Sequence, residues 1–482
     1  MNCGRIMIAA PKSGSGKTML TCALLQALLE RGMRPVSFKC GPDYIDPMFH
    51  ERVLGVPSRN LDTFFTGEDG TARLLAEGCA LGELAVLEGV MGLFDGLGGI
   101  RKEGSSYHLA EATKTPILLV VDAKGMSRSV IPLIAGFLAY DRAHLICGVI
   151  LNRMSKAAFE ALKPLLEKEL PVPVFGFLPE RKELQTESRH LGLVLPQELE
   201  DLRGRLKEAA EALRETVSLE AVIRAAQNAP RLQGSLEIAE TKARRETLQA
   251  SSSSAAGEWT LQAYACPEGH PDDWKPVIAV ARDEAFCFYY EDNLRLLQEK
   301  GARLRFFSPL RDTALPEGTD AVLLGGGYPE LYARELSLNV KLRRAIKDAF
   351  LKKLPMVAEC GGFMYLHDAI EDENKERHSM AGVVPGICFR QKRLVRFGYI
   401  ELMEKHCRFL PEGERIRGHE FHYYDSTGNG DGCIAIKPVT GREYSCVVTG
   451  ENCWLGFPHL YYPSNPAFAE RFVEMAGKSR RR

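Results

Sequence analysis

The sequence has 482 residues, with 62 basic and 63 acidic side chains and a formal net charge of −1. Because this length exceeds what one hydrophobic core usually supports, we expect two or three domains. The balanced charge argues against nucleic acid as the main partner. No stretch has the pattern of a signal peptide or a membrane-spanning helix. The 13 cysteines, with no Cys-x-x-Cys pair, favour reduced thiols in a cytoplasmic protein over disulfides or zinc.

Residues 6–18 have the pattern of a short buried strand, a loop rich in glycine and serine, and the start of a helix. Backbone N–H groups in such a loop, together with the helix N-terminus, bind phosphate oxygens. Lys17 would contact the β- and γ-phosphates, and the Thr18 hydroxyl would bind Mg²⁺. The loop is a variant, since Pro11 stands where the usual pattern has glycine. A tight turn without a ligand is the alternative. We predict an ATP or GTP site made of Ser13, Gly14, Ser15, Gly16, Lys17 and Thr18.

Charged side chains follow the next two predicted strands. These strands cover residues 36–39 and 84–87. Lys39, Asp43 and Asp46 lie at the end of the first strand, where open α/β sheets bind their ligands. They could serve phosphate, Mg²⁺ or a substrate, and a turn stabilised by aspartate is the alternative. Glu88 follows the second strand, where a buried carboxylate is costly unless it is paired or bound to metal. Glu88 is therefore the predicted second Mg²⁺ ligand.

The next strands continue an alternation of strands and helices that is typical of a doubly wound α/β domain. They cover residues 117–122, 145–151 and 174–178. Asn152 follows the second of them and could read the adenine edge of the nucleotide. We place the first domain at residues 1–200. Residues 201–275 follow as a helical segment and a polar, serine-rich linker, to which we assign no chemistry.

A second alternating pattern occupies residues 276–470, and a basic tail follows at residues 471–482. It contains a glycine-rich turn at residues 325–327, and Cys360 stands between a predicted strand and a predicted helix. That position is typical of a nucleophile elbow. A helix N-terminus or an imidazole can lower the pKa of such a thiol, and backbone N–H groups near Gly361 can hold an oxyanion. A buried structural cysteine is the alternative.

A thiol nucleophile also needs a base, and three histidines downstream of Cys360 are candidates. His459 follows an apolar run near the end of the second domain. His419 and His422 form a separate cluster. Because no third metal ligand is evident beside them, we prefer a substrate or interface role for that cluster.

Taken in order along nearly the whole chain, these motifs resemble those of the cobyrinate a,c-diamide synthases. The matching stretches are the phosphate loop and residues 38–47, 88–96, 189–193, 325–330, 358–366 and 417–423. The resemblance implies an N-terminal synthetase domain related to dethiobiotin synthetase and a C-terminal class I glutamine amidotransferase domain, which is flavodoxin-like. It also implies that Cys360 is the glutaminase nucleophile and that His459 raises its nucleophilicity. Many class I amidotransferases have glutamate two residues after this histidine. Here Tyr461 stands there, so a Cys–His dyad is expected. The oxyanion and glutamine pocket would include Gly326, Gly327 and Gly361.

The chemistry that the resemblance implies divides between the two halves. The second half would release ammonia from glutamine, and the first half would use ATP and Mg²⁺ to convert a carboxylate into an acyl phosphate. The accepting groups would be the a and c acetate side chains of a corrin ring, and a homodimer is possible. Candidates for the substrate side of the ATP site are Lys39, Asp43, Asp46, Met91, Leu93 and Asp95.

Two other functions compete with this one. The same chemistry could act on hydrogenobyrinate or on nickel-sirohydrochlorin, since the sequence does not report the central metal. A different class is an ATP-dependent switch with an inactive amidotransferase fold. Lys12 lies five residues before Lys17, where partitioning ATPases carry a signature lysine. That function, however, gives no reason for a glutaminase half.

Overall fold

The computed structural model describes residues 3–180, 196–232 and 275–480. The chain divides into two compact units, residues 1–256 and residues 257–482, and each is described by itself. The motif at residues 189–193 and the serine-rich stretch at residues 251–254 lie outside the described residues. Across the three described ranges, no helix is both long enough and apolar enough to cross a membrane.

The first unit is built on one parallel sheet. Its strands are β1 (Gly4–Ala9), β2 (Pro35–Cys40), β3 (Ser58–Leu61), β4 (Leu84–Glu88), β5 (Ile117–Asp122), β6 (Ile146–Asn152) and β7 (Val174–Leu178). Their order is β3-β2-β4-β1-β5-β6-β7, so β1 lies in the middle. Ile6 and Ile8 on β1 are completely buried. Burial of both faces explains the continuous apolar runs that predicted these strands. The polar β3 has no such run and was not predicted.

Helices cover both faces of this sheet. They are α1 (Lys17–Glu30), α2 (Ile45–Leu54), α3 (Thr63–Cys79), α4 (Ser106–Thr113), α5 (Val130–Tyr140), α6 (Lys156–Glu169), α7 (Pro196–Thr216) and α8 (Leu219–Gln227). α7 packs against α1, and Leu213 and Val222 are buried in the same core as Leu24. α7 and α8 therefore pack with the first unit, whereas the sequence analysis had placed residues 201–275 outside the first domain. The reason is that α7 and α8 bury an apolar face against the first unit.

The described residues of the second unit form three sheets. Its strands are β8 (Val277–Ala281), β9 (Arg303–Phe307), β10 (Thr319–Leu324), β11 (Met356–Glu359), β12 (His367–Glu371), β13 (Arg377–Ser379), β14 (Val384–Arg390), β15 (Arg396–Glu404), β16 (Arg415–His422), β17 (Tyr424–Ser426), β18 (Cys433–Ile436), β19 (Glu443–Cys446), β20 (Val448–Gly450), β21 (Cys453–Gly456) and β22 (His459–Leu460). The main sheet has the order β20-β21-β11-β10-β8-β9 and is parallel except for β20. Both predicted α/β domains are thus confirmed.

Two further sheets of the second unit were not predicted. Their orders are β13-β12-β14-β17 and β19-β18-β15-β16-β22, and neighbouring strands are antiparallel except β12 and β14. Many of their strands are short, and several expose one face, so they lack the apolar runs that mark buried parallel strands. β16 and β22 matter for function, because they carry the three histidines singled out in the sequence.

Within residues 275–480, five helices accompany these sheets. They are α9 (Glu291–Glu299), α10 (Ala333–Leu338), α11 (Val340–Leu351), α12 (Gly361–Tyr365) and α13 (Pro466–Arg480). On α13, Phe468 and Phe472 are fully buried, and Phe468 packs edge-on against Trp454. Residues 471–480 are therefore part of a packed helix and not of a tail, because their apolar face completes the core of the second unit.

Candidate active sites

The phosphate loop connects the central strand β1 to the first turn of α1. Gly16 has a φ of +93°, and a Cβ atom at this position would lie 2.2 Å from Asn152 Nδ2. The Asn152 amide donates a hydrogen bond to the Ser15 carbonyl oxygen at 2.9 Å. Glycine is required at residue 16 both by its backbone conformation and by this close approach. Asn152 thus lies beside the loop and supports its backbone, whereas the sequence had suggested contact with adenine.

Lys17, at the start of α1, is buried and held by backbone oxygens. Its Nζ donates to the Met91 carbonyl oxygen at 2.6 Å and to the Lys12 carbonyl oxygen at 3.4 Å. Burial, followed by the nearby Lys39 ammonium, lowers the pKa of Lys17 to about 8. An anion that reached this ammonium group would therefore stabilise its charged form.

A cluster of four side chains, Thr18, Lys39, Asp46 and Glu88, lies next to the loop. The Thr18 hydroxyl donates to Glu88 Oε1 at 2.5 Å, and Lys39 Nζ donates to the same oxygen at 2.9 Å. Lys39 also pairs with Asp46. Burial, followed by the Asp46 carboxylate, raises the pKa of Glu88 to about 7. Burial also acts to raise the pKa of Asp46, but the Lys39 ammonium, as a charge and as a hydrogen-bond donor, opposes it, and the pKa of Asp46 is lowered.

This cluster fits the predicted Mg²⁺ ion in its donor atoms. Magnesium prefers hard oxygen ligands such as carboxylates and hydroxyls. Glu88 Oε2 is buried and, in the described part of the chain, has no hydrogen-bond partner. Thr18 and Glu88, both predicted as ligands, are in direct contact. Asp46, which pairs with Lys39, offers a third oxygen ligand. The sequence analysis had placed Asp46 on the substrate side.

The remaining candidates for the substrate side differ in what they contact. The Met91 side chain is 37% exposed, whereas Leu93 is 1% exposed. Asp43 Oδ1 accepts a hydrogen bond from the Ile45 N–H at 2.8 Å, and Asp95 Oδ2 accepts one from the Gly92 N–H at 2.8 Å. Both aspartates therefore stabilise turns, which was the alternative considered for Asp43. The Leu93 side chain belongs to the core, whereas the sequence analysis had placed it on the substrate side.

His50 was missed in the sequence. Its Nδ1 lies 2.8 Å from the Ser37 hydroxyl, and its Nε2 lies 3.7 Å from Glu88 Oε2. Burial lowers the pKa of His50 to about 4, so the ring is neutral at physiological pH. Asp46 and His50 are four residues apart on α2 and therefore share a face of this helix, which is the signal that could have identified His50.

In the second unit, Cys360 forms a sharp turn between β11 and α12. It has a φ of +46°, and its N–H donates to the Gly456 carbonyl oxygen at 2.9 Å. A non-glycine residue with positive φ is strained, and such strain is frequent where a nucleophile is exposed to a substrate. A Cβ atom on Gly362 would lie 2.2 Å from the Leu324 carbonyl oxygen. The elbow predicted at Cys360 is thus present, and close backbone packing requires glycine at residue 362.

The glycine turn lies against both the Cys360 elbow and His459. A Cβ atom on Gly326 would lie 2.4 Å from His459 Cε1, and one on Gly361 would lie 3.0 Å from the Gly327 backbone nitrogen. Gly327 has a φ of +154° and also lacks room for a side chain, since its Cβ would lie 2.1 Å from the Ala285 carbonyl oxygen. The structure therefore brings the predicted nucleophile, the predicted base and the predicted oxyanion glycines into one site.

Burial controls the electrostatics of this site. It raises the pKa of the Cys360 thiol, and the Glu330 carboxylate adds to the effect, while a hydrogen bond from the Gly361 N–H opposes it. The sequence analysis had considered a lowered pKa. Burial, followed by His419 and His422, lowers the pKa of His459 well below its usual range. Both residues are thus neutral at rest, so attack by the thiol requires simultaneous proton transfer to a base.

Two further groups touch His459. The His419 ring stacks on it with a centroid distance of 5.0 Å and an interplanar angle of 16°. Glu359 Oε2 lies 4.0 Å from His459 Nδ1, and both side chains are buried. Glu359 was missed because no sequence pattern connects it with the distant histidine. The Tyr461 hydroxyl, at the position where an acid was sought, donates to Asp292 Oδ2 at 2.8 Å.

Comparisons with known proteins define the class. Residues 6–194 match the CobQ/CobB/MinD/ParA nucleotide binding domain, and residues 277–464 match the CobB/CobQ-like glutamine amidotransferase domain. The chain is therefore a glutamine-dependent ligase that forms amides. Relatives named cobyrinate a,c-diamide synthase include that of Caldanaerobacter subterraneus subsp. tengcongensis, 37% identical over 98% of each chain. That of Listeria innocua is 36% identical over 99% of this chain and 100% of its own. That of Salmonella typhimurium is 34% identical over 98% and 97%. The chain belongs to the cobyrinate a,c-diamide synthase family.

Proposed function

We propose that this protein amidates the a and c acetate carboxylates of cobyrinate, with glutamine as the nitrogen source and ATP as the energy source. The observation that carries the proposal is that one chain, similar to such synthases over nearly its whole length, contains both sites. One is a phosphate loop beside a cluster of buried charges, and the other is a thiol elbow beside an imidazole.

The first unit has to make a carboxylate reactive toward ammonia. A carboxylate is anionic and has a poor leaving group, so transfer of the γ-phosphoryl group of ATP to it, giving an acyl phosphate, removes both obstacles. In the proposal, Lys17 exchanges the Met91 carbonyl oxygen for phosphate oxygens as the nucleotide binds. Thr18 and Glu88 would hold Mg²⁺, which offsets phosphate charge when bound. Lys39 is then free to contact the substrate carboxylate or the transferred phosphoryl group.

The second unit has to release ammonia from glutamine. In the proposal, the Cys360 sulfur attacks the side-chain amide carbon while His459 takes the thiol proton. Backbone N–H groups of Gly326, Gly327 and Gly361 stabilise the oxyanion. His459 then returns the proton to the leaving nitrogen, and ammonia departs as the γ-glutamyl thioester forms. Water hydrolyses the thioester to glutamate and regenerates the thiol. The ammonia must reach the acyl phosphate before water protonates it.

Mass spectrometry of the products tests this function. The protein is incubated with cobyrinate, ATP, Mg²⁺ and glutamine, and two successive mass changes from acid to amide are expected. Hydrogenobyrinate and nickel-sirohydrochlorin are assayed in parallel as competing substrates. No turnover of cobyrinate alongside turnover of another macrocycle would reassign the substrate. No glutaminase activity at all would favour the switch-like ATPase.

Two further parts of the proposal concern the state of the protein in the cell. We propose a cytoplasmic enzyme, since glutamine, ATP and reduced thiols coexist there. The cysteines in the described part of the chain form no disulfides. We also propose a homodimer, for which analytical ultracentrifugation is the direct measurement.

A further inference from the structure

We propose that Glu359, the residue immediately before the nucleophile, is the carboxylate that positions His459 and so takes the place of the acid absent at residue 461. The inference rests on the proposed glutaminase reaction. It concerns a positioning residue, because Glu359 acts through the imidazole and not on glutamine itself.

The sheet register brings Glu359 and His459 together. β11 pairs in parallel with β21, and Glu359 is opposite Gly456. His459 follows three positions after Gly456, on β22, and is paired with His419 on β16. Glu359 Oε2 ends 4.0 Å from His459 Nδ1. This is longer than a hydrogen bond, but catalytic hydrogen bonds are often long without substrate and tighten when it binds.

Glu359 is held in place from its other side. The Tyr462 hydroxyl and the Leu460 N–H both donate hydrogen bonds to its carboxyl group. Its Oε1 atom, in the described ranges, has no hydrogen-bond partner. Oε1 is therefore an unused acceptor of the same carboxyl group whose Oε2 atom lies near His459 Nδ1. In the inferred arrangement, Nδ1 donates to this carboxyl group and Nε2 exchanges protons with the thiol.

Residue 461, where many class I amidotransferases have glutamate, is a tyrosine that is hydrogen-bonded to another residue. Tyr461 is 2% exposed, and its hydroxyl donates to Asp292 on α9. Glu359 Oε2, in contrast, lies 4.0 Å from His459 Nδ1. The same role is thus supplied from a different strand, as is known for catalytic triads that converge on one geometry from different chain positions.

The ionisation of Glu359 should appear in the pH profile. Burial raises the pKa of Glu359 to about 8, against its hydrogen bonds with Tyr462 and Leu460. As Glu359 loses its proton, it becomes able to stabilise the imidazolium that forms during attack. The titratable or charged groups around this pair are Cys360 and Glu330 near the elbow, His419, Glu420 and His422 on β16, and Tyr289, Tyr290 and Tyr462.

The decisive experiment measures glutamine hydrolysis by the full chain against pH. In Glu359→Gln, kcat/KM should fall by about 10²-fold, the size of a lost acid–base contribution. The rise in rate near pH 8 should also disappear, while the rise caused by Cys360 itself persists. Glu359→Asp should keep an ionising group and recover part of the rate. Amidation with free ammonia should be unchanged in both variants.

Glu404→Gln is the matched control. Glu404 is also a buried carboxylate of the second unit, and it accepts hydrogen bonds from the Phe409 and Leu410 N–H groups. Its conversion to an amide should leave the pH profile unchanged. A wild-type rate and pH profile in Glu359→Gln would overturn the inference. Should that variant fail to fold, the same result in Glu359→Ala would overturn it.

A second measurement does not depend on turnover. Nitrogen chemical shifts of the histidine rings in the labelled full chain report the tautomer, with His459 assigned by its loss in His459→Gln. Above about pH 8, where Glu359 is ionised, we expect Nδ1 to carry the proton in the wild type and the tautomers to mix in Glu359→Gln. An identical spectrum in both would contradict the positioning role. If the wild-type protein hydrolyses no glutamine, the proposed function fails. The tautomer of His459 still shows whether Glu359 positions the ring.

Discussion

The two units bury polar groups by opposite means. In the first unit, Lys39 lies between Asp46 and Glu88, so that buried charges compensate one another. In the second unit, burial pushes both Glu359 and His459 toward their neutral forms. The first arrangement is suited to charged ligands, such as phosphates and carboxylates, that can replace one ion-pair partner. The second is suited to an uncharged amide, with charge created only during the reaction.

The largest effect should follow removal of the nucleophile. In Cys360→Ala, glutamine hydrolysis should fall by about 10⁶-fold, as in other enzymes that lose a covalent nucleophile. Amidation with high free ammonia should remain close to the wild-type rate, because the first unit is unchanged. Product formation from each nitrogen source measures both. Loss of the ammonia-dependent reaction in this variant would show that the two units do not divide the work as proposed.

Removing the phosphate-binding cation should affect both nitrogen sources equally. In Lys17→Ala, amidation from glutamine and from ammonia should each fall by about 10³-fold, since a preorganised charge no longer stabilises the transferring phosphoryl group. Glutamine hydrolysis by the second unit is the internal control and should persist. Undiminished amidation from either source would remove the phosphate loop from the mechanism.

The contrast between charged and neutral sites can be tested by stability. Lys39→Met leaves two buried carboxylates without their cation, and we expect a loss of about 3–5 kcal/mol in the first unit. Lys39→Met combined with Asp46→Asn should recover part of that loss, since only one carboxylate then remains. Amide hydrogen exchange, followed by mass spectrometry, reports each unit separately. If Lys39→Met is as stable as the wild type, the ion pairs do not stabilise the cluster.

The glycine turn offers a smaller, local perturbation of the second site. Gly326→Ala places a Cβ atom where it would lie 2.4 Å from His459 Cε1 and should shift the ring. Because a misplacement of about 1 Å can cost 10²-fold, we expect glutaminase activity to fall by about that factor. Gly477→Ala, on α13, is the control, since no atom lies within 4 Å of its Cβ position. Equal activity of the two variants would mean that the turn does not position the imidazole.

What could be predicted from the sequence was mostly local. Apolar runs identified the parallel strands, and a loop followed by a helix start identified Lys17 and Thr18. The elbow at Cys360 was equally visible, since strand, thiol and glycines adjoin. Contacts set by sheet register were not visible. Glu359 reaches His459 only because β11 pairs with β21, and Asn152 reaches Gly16 only because strands at the centre of the first sheet end side by side.

Membership of α7 and α8 in the first domain could not be predicted for a related reason. Their charged surfaces resemble those of a linker helix. Their apolar faces are buried by packing in the core that contains α1, and this contact is not visible in the sequence. The short antiparallel strands were missed because each exposes part of its surface and lacks a continuous apolar run. Sequence patterns thus reported burial on both faces and failed where burial was partial.

The last expected effect concerns how stability depends on pH, and it has opposite signs in the two units. The folded-state pKa of Glu359 is about 8, above the unfolded value, so its stabilising contribution is complete at low pH and is lost as pH rises toward 8. The folded-state pKa of Asp46 is lowered, so its contribution is present above the unfolded pKa and is lost as pH falls.

Relative to the wild type, Glu359→Gln should therefore become more stable between about pH 5 and about pH 8, by up to a few kcal/mol in the second unit. Asp46→Asn should instead approach wild-type stability as pH decreases below about 4. Hydrogen exchange in β11 and in α2, corrected for the intrinsic pH dependence of exchange, measures the two effects in one experiment. The stability difference between variant and wild type should change with pH in opposite directions for Glu359→Gln and Asp46→Asn. A change in the same direction for both would contradict the contrast between the two clusters.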